Sequence, residues 1–154
     1  MPRFKVLAHY APRLRLNEMA THPHDAMPPR EPTIRVTAMP ADANFYGDIF
    51  GGWLVGQMDL AASALASRHS KGRAVLASME RIDFHKPVKV GDEVSIYTRM
   101  DKVGRSSMRI AVEAWTRDRN GEAVAKVTDA MITFVAIGED GRARGVIAGA
   151  EGRG

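Results

Sequence analysis

The sequence predicts one α+β domain, an antiparallel sheet of about five strands wrapped around a single long central helix. Three patterns point there. Only residues 49–68 carry an extended helical period. Five other stretches alternate with period two, as half-buried strands do. Glycine turns separate the later stretches, among them Asn120-Gly121, the dipeptide that closes tight antiparallel hairpins.

Residues 1–32 contain six prolines, which interrupt any helix or strand, and read as an N-terminal extension. Residues 33–38 alternate and are β-branched, so they form the first strand. Residues 40–47 are turn chemistry. In the helix, Trp53, Leu54, Gln57, Met58, Ala61, Ala62 and Leu65 fall on one wide stripe. Ser70, Lys71 and Gly72 end it. Residues 74–85 alternate and are closed by Pro87. Residues 93–103 set Val94, Ile96, Thr98 and Met100 against Glu93, Ser95, Tyr97 and Arg99. Residues 106–117 set Met108, Ile110, Val112 and Ala114 against Arg109, Ala111, Glu113 and Trp115. Residues 122–137 complete the sheet, and their apolar second half predicts a central strand covered on both faces. The domain therefore spans 33–137, and 138–154 form a Gly/Ala/Arg-rich tail expected to be mobile at its end.

A chain of 154 residues is one domain, and 45% hydrophobic with 26% charged residues is globular composition. No apolar run approaches the roughly 20 residues of a membrane helix. The absence of cysteine excludes disulfides, thiolate metal sites and a cysteine nucleophile. With no secretory-type apolar N-terminus, a cytoplasmic protein is expected. The net charge of +4 is scattered, without the basic stripe of a nucleic-acid reader. Walker, dinucleotide-binding and Gly-x-Ser-x-Gly motifs are absent, and His22-x-His24 reads as a chance pair, so no metal is expected. One helix gives a thin core, which oligomerisation would complete.

The chemistry concentrates at residues 44–53, Asn-Phe-Tyr-Gly-Asp-Ile-Phe-Gly-Gly-Trp. Free N–H groups at a helix start carry partial positive charge, and Gly51 and Gly52 leave them unblocked. A carbonyl oxygen could be polarised there, with Asp48 beside it as general base or nucleophile. The structural alternative makes Asp48 the helix N-cap and the glycines a packing notch. On the helix, Gly52, Gly56, Asp59 and Ser63 share a second face. It either lines a channel or sets Asp59 in a hydrogen bond across a dimer interface. His85 and Lys86 end one strand, and Arg105, Ser106 and Ser107 turn between two others. These groups suit phosphate oxygens or are solvated turn charges.

Residues 39–59 resemble the hotdog-fold acyl-CoA thioesterases, nearest to the bacterial YciA branch, which is related to the cytosolic acyl-CoA hydrolases. The resemblance is carried by Gly-Asp-Ile-Phe-Gly-Gly-Trp and continues through 81–92 and 102–108. It implies the hotdog fold, subunits paired with active sites at the dimer interface, and assembly of dimers into hexamers. It implies hydrolysis of acyl-CoA to a free acid and coenzyme A, with coenzyme A entering only as part of the substrate and no separate cofactor. By the same resemblance Asp48 is the catalytic carboxylate, flanked by Asn44, and the Gly51 or Gly52 amide holds the thioester oxygen. Asp59 occupies the place of an acidic helix residue used by related thioesterases. His85, Lys86, Arg105, Ser106 and Ser107 fall in the coenzyme A contacts, with Ser106 standing where Thr is more usual. The competing expectation is a hotdog dimer that senses acyl-CoA without hydrolysing it.

Overall fold

The computed structural model describes residues 26–146. The extension up to residue 25, with its His22/His24 pair, and residues 147–154 of the tail lie outside the described residues. The elements run β1 (Ile34–Thr37), α1 (Gly51–Ser70), β2 (Ala74–Phe84), β3 (Glu93–Val103), β4 (Ser107–Arg117) and β5 (Val124–Ala136), with a 3-10 turn at Pro40–Asp42. The sheet order is β1-β3-β4-β5-β2, and every neighbouring pair is antiparallel.

Alternation decides which face each strand gives to α1. Ile96 pairs with Ala114, and Ile110 with Ile132, so the apolar positions of three strands stack on one face. Leu54, Met58, Ala61, Ala62 and Ala66 of α1 pack on that face, buried with Val94, Met108, Val112 and Phe134. Burial of a side chain such as Leu54 or Met58 stabilises by about 1.5–3 kcal/mol. The alanines let the helix lie close to the sheet.

The expectation for the last strand needs correction. β5 is central in its pairing, between β4 and β2, but alternate residues are only half-buried. The helix covers one face of the sheet, and Met131, Thr133 and Val135 point to the other. β2 differs more sharply. It is an edge strand, and none of its eleven residues is buried. Val75 and Leu76 at one end and Phe84 at the other remain more than 40% exposed. Two register shifts break its ladder with β5, and within the second Arg81 takes φ 54°, the left-handed region.

The chain beyond residue 137 returns to the helix. Arg144 Nη1 donates to Ser70 O at 3.1 Å, and Nε donates to Ile137 O at 2.9 Å. A Cβ at Gly72 would stand 2.5 Å from Arg144 Nη2, so a side chain there would have to displace the guanidinium.

Candidate functional site

The residues before α1 build a small hairpin. Ala43 bridges Ile49, and Asp48 bridges Lys89 in the loop after β2. Asn44 organises its turn. Its Oδ1 accepts the N–H groups of Tyr46 at 2.8 Å and Asp48 at 3.1 Å, and its own N–H donates to Asp48 O at 2.6 Å. Gly47 closes the turn at φ 87°. The hairpin delays the helix, which begins at Gly51 rather than 49, with Phe50 as the N-cap residue. Asp48 is therefore not the helix cap. No side chain caps this helix, and its first turn holds no acid. The N–H groups of Gly51 and Gly52 find no acceptor among the described residues.

Beside this mouth lies a slot of about 220 Å³, lined by Asn44, Phe50, Gly51, Leu54, Phe84 and Lys86 among others. A Cβ on Gly51 would touch the Phe84 ring at 3.4 Å, an ordinary contact distance. Gly52 and Gly56 face open space. Asp48 is half-buried at the hairpin base. Asp59 is half-buried on the helix, and eight residues at 1.5 Å rise place it about 12 Å along the axis from Gly51.

The other expected residues separate. Lys86 lines the slot, but His85 Nε2 lies 2.9 Å from Asp129 Oδ2. Arg105 and Ser106 line a second hollow with Arg144, and Ser106 O accepts the N–H of Ala136. Ser107 opens β4 next to them, and its O accepts the N–H of Gly104. That turn stands at the C-terminal end of α1, about 30 Å from the mouth by the length of a twenty-residue helix. A larger cavity of about 310 Å³ lies on the outer sheet face. Several of its bases lie near acids, Arg109 3.6 Å from Glu80 and 3.7 Å from Asp101, and Lys126 3.7 Å from Glu113 and from Asp129. Among the described residues no group of three or more His, Asp or Glu could hold a metal, and no helix is long and apolar enough to cross a membrane.

Sequence reasoning missed Phe84 and Leu54 as slot walls and Arg144 as the clasp of the helix end. Strand alternation carried a signal for Phe84, and Gly72 carried a faint one for Arg144.

The model of the thioesterase superfamily matches residues 46–123. An acyl-CoA thioester hydrolase of Zymomonas mobilis is 51% identical over 75% of this chain and 77% of its own length. The acyl-CoA thioester hydrolase YciA of Salmonella typhimurium is 42% identical over 78% of this chain and 92% of its own. A hexameric thioesterase of Yersinia pestis superposes with a TM-score of 0.75 at 41% identity, covering 80% of this chain and all of that one. An acyl-CoA hydrolase of Staphylococcus aureus, solved with butyryl coenzyme A and coenzyme A, gives 0.69 at 28% identity over 73% and 68% of the two chains. Variants of that enzyme replace an aspartate and an asparagine by alanine at positions fifteen residues apart. By its family model, its relatives and its five strands around one helix, the chain belongs to the hotdog thioesterase superfamily, in the acyl-CoA thioester hydrolase branch that holds YciA.

Proposed function

We propose that the protein hydrolyses acyl-CoA thioesters to free carboxylic acids and coenzyme A. The observation that carries the reading is the start of α1, where the Gly51 and Gly52 amides have no acceptor among the described residues and Gly51 lines the adjoining slot. The thioester oxygen accepts from those amides, so that negative charge developing on it meets fixed dipoles. A carboxylate takes a proton from water as the water oxygen bonds to the carbonyl carbon. The tetrahedral adduct then reforms its C=O bond and breaks C–S, and the sulfur leaves with the proton. Direct attack by the carboxylate would give an anhydride instead. A single turnover in oxygen-18 water separates the routes, because only the anhydride route leaves label in an Asp side chain.

Two carboxylates compete for the role. Asp48 stands at the mouth of its own chain. Asp59 lies too far along the helix to reach its own Gly51 and Gly52 amides, but a second subunit can present it. The Asn44 to Asp59 spacing is fifteen, the same as in the two variants of the S. aureus enzyme, whereas Asn44 to Asp48 is four. We assign Asp59 of the partner subunit as the base and Asp48 as the anion that helps position water at the mouth.

The same geometry favours a dimer as the minimal unit. Pairing two β2 edges antiparallel about a twofold axis covers the exposed strand and joins two sheets into one. It also brings the C-terminal end of one helix beside the N-terminal end of the other. Lys86 of one subunit, with Arg105, Ser106 and Ser107 of the partner subunit, then holds the phosphates of coenzyme A. Dimers associate further into the hexamer seen in the Yersinia relative.

Thiol release from acyl-CoA tests the function. Asp59→Asn should cut kcat by about 10²-fold or more, the usual worth of a positioned base, and Asp48→Asn by less. Binding without release in the wild-type protein would overturn hydrolysis. Mixed subunits test the shared site. Asp59→Asn mixed with Gly52→Glu should recover about a quarter of wild-type activity, because half the sites in each hybrid twofold dimer are intact. No recovery would place base and amides in one chain.

A further inference from the structure

The turn that carries Asn44 and Asp48 also carries two rings that no described residue covers. Phe45 is 99% exposed and Tyr46 83%. They are held in place, because the Asn44 hydrogen bonds and Gly47 fix the backbone on either side. Single exposed apolar residues are ordinary on a protein surface. Here two adjacent rings stand on a braced turn whose Asn44 lines the slot together with the partly exposed Phe50 and Phe84.

A thioester has two arms, and the mouth offers each a different surface. The slot is walled mostly by apolar residues and holds Lys86, the cation that suits the phosphates at the far end of the coenzyme arm. Phe45 and Tyr46 line no part of that slot. With the carbonyl oxygen on the Gly51 and Gly52 amides and the coenzyme arm in the slot, the acyl arm leaves on the side where the two rings stand. Resting on the hydrolase reading above, we propose that Phe45 and Tyr46 are acyl-specificity residues. Their rings pack along the methylenes nearest the thioester and favour longer apolar acyl groups over short ones. Each methylene buried in this way is worth about fourfold in kcat/KM.

The test compares kcat/KM of the wild-type protein and the Phe45→Ser/Tyr46→Ser variant on acetyl-, butyryl-, hexanoyl- and octanoyl-CoA. Neither ring has a covering contact among the described residues, so the variant keeps the fold. The deficit should grow from about twofold on acetyl-CoA to about thirtyfold once the acyl group carries the roughly two methylenes that the rings cover, and then level off, with KM bearing most of it. A deficit equal at every length, or none, overturns the proposal. So does a fall in oligomer mass on size exclusion, which would make the rings a contact between subunits. The wild-type panel reads the hydrolase assignment separately. If it releases no thiol, titration calorimetry of the same acyl-CoAs into both proteins still decides whether the rings read chain length.

Discussion

At its C-terminal end α1 is closed by side chains and backbone together. Lys71 turns left-handed at φ 53° with its N–H on Ser67 O, Gly72 N–H reaches the same oxygen, and Arg144 takes Ser70 O. Its N-terminal end has none of this. No side chain caps it, glycines occupy its first two positions, and the carboxylate just before it is engaged through its backbone in a hairpin. A helix normally leaves four donors and four acceptors to be satisfied. Here two of those acceptors, Ser67 O and Ser70 O, are served from within the chain, whereas the Gly51 and Gly52 donors have no acceptor among the described residues. On the proposed reading, the contrast makes one end framework and the other a receptor for an electron-rich atom. Because the coenzyme candidates Arg105, Ser106 and Ser107 sit at the closed end, one chain cannot bring both ends to one substrate.

The sharpest way to break that contrast is to stop the two ends from meeting. Leu76 is exposed at the start of β2, on the helix side of the sheet, where it pairs with Phe134. In the proposed twofold dimer it lies at a buried seam. Leu76→Lys would place an unpaired ammonium there, a penalty of several kcal/mol. We expect a shift to monomer on size exclusion and at least a tenfold loss of thiol release, each 1.4 kcal/mol counting for a factor of ten. An assembled, fully active variant would rule out β2 as the joining edge.

A second experiment attacks the closed end. Arg144→Ala removes a guanidinium that donates to Ile137 O, Ser70 O and Gly145 O, leaving half-buried carbonyls without it. Charged hydrogen bonds of this kind contribute about 1.5–3 kcal/mol, so a loss of about 2–4 kcal/mol is expected in a urea melt. Arg144→Lys should recover only part of it, because one ammonium cannot fork to several carbonyls. An unchanged midpoint would mean that the left-handed cap alone holds the helix end.

The open end was the more legible in the sequence, and the reason is local. Asn44, Asp48, Gly51 and Gly52 lie within nine residues, and their chemistry follows from one turn and one helix start. The helix was legible as well, since the Leu54, Met58, Ala61 and Ala62 stripe is the face that packs. The closed end was hidden because Arg144 and Ser70 are 74 residues apart. Its arginine sits in a tail whose composition announces nothing. His85 and Lys86 show a different limit. They are adjacent in the chain, yet one joins Asp129 and the other the slot, because β2 ends at Phe84 and the chain bends at Lys86. The β5 expectation erred because unbroken apolar character was taken for two covered faces, when one face carries the helix and the other only partly shielded side chains.

The smallest effect concerns the backbone of the edge that should join the subunits. Arg81 adopts φ 54° inside the register shift between Glu80 and Asp83. For a residue with a Cβ this conformation costs about 1–2 kcal/mol, and glycine adopts it without the clash. Glycine also widens the unfolded ensemble, which offsets part of the gain. Arg81→Gly should therefore stabilise the protein by about 0.5–1 kcal/mol, read as a higher urea midpoint at unchanged slope. Because Arg81 lies near the middle of β2, the variant also tests the seam. If the dimer pairs there through backbone alone, oligomer mass persists with the added stability. If the midpoint falls instead, the Arg81 side chain contributes more at the edge than its backbone loses.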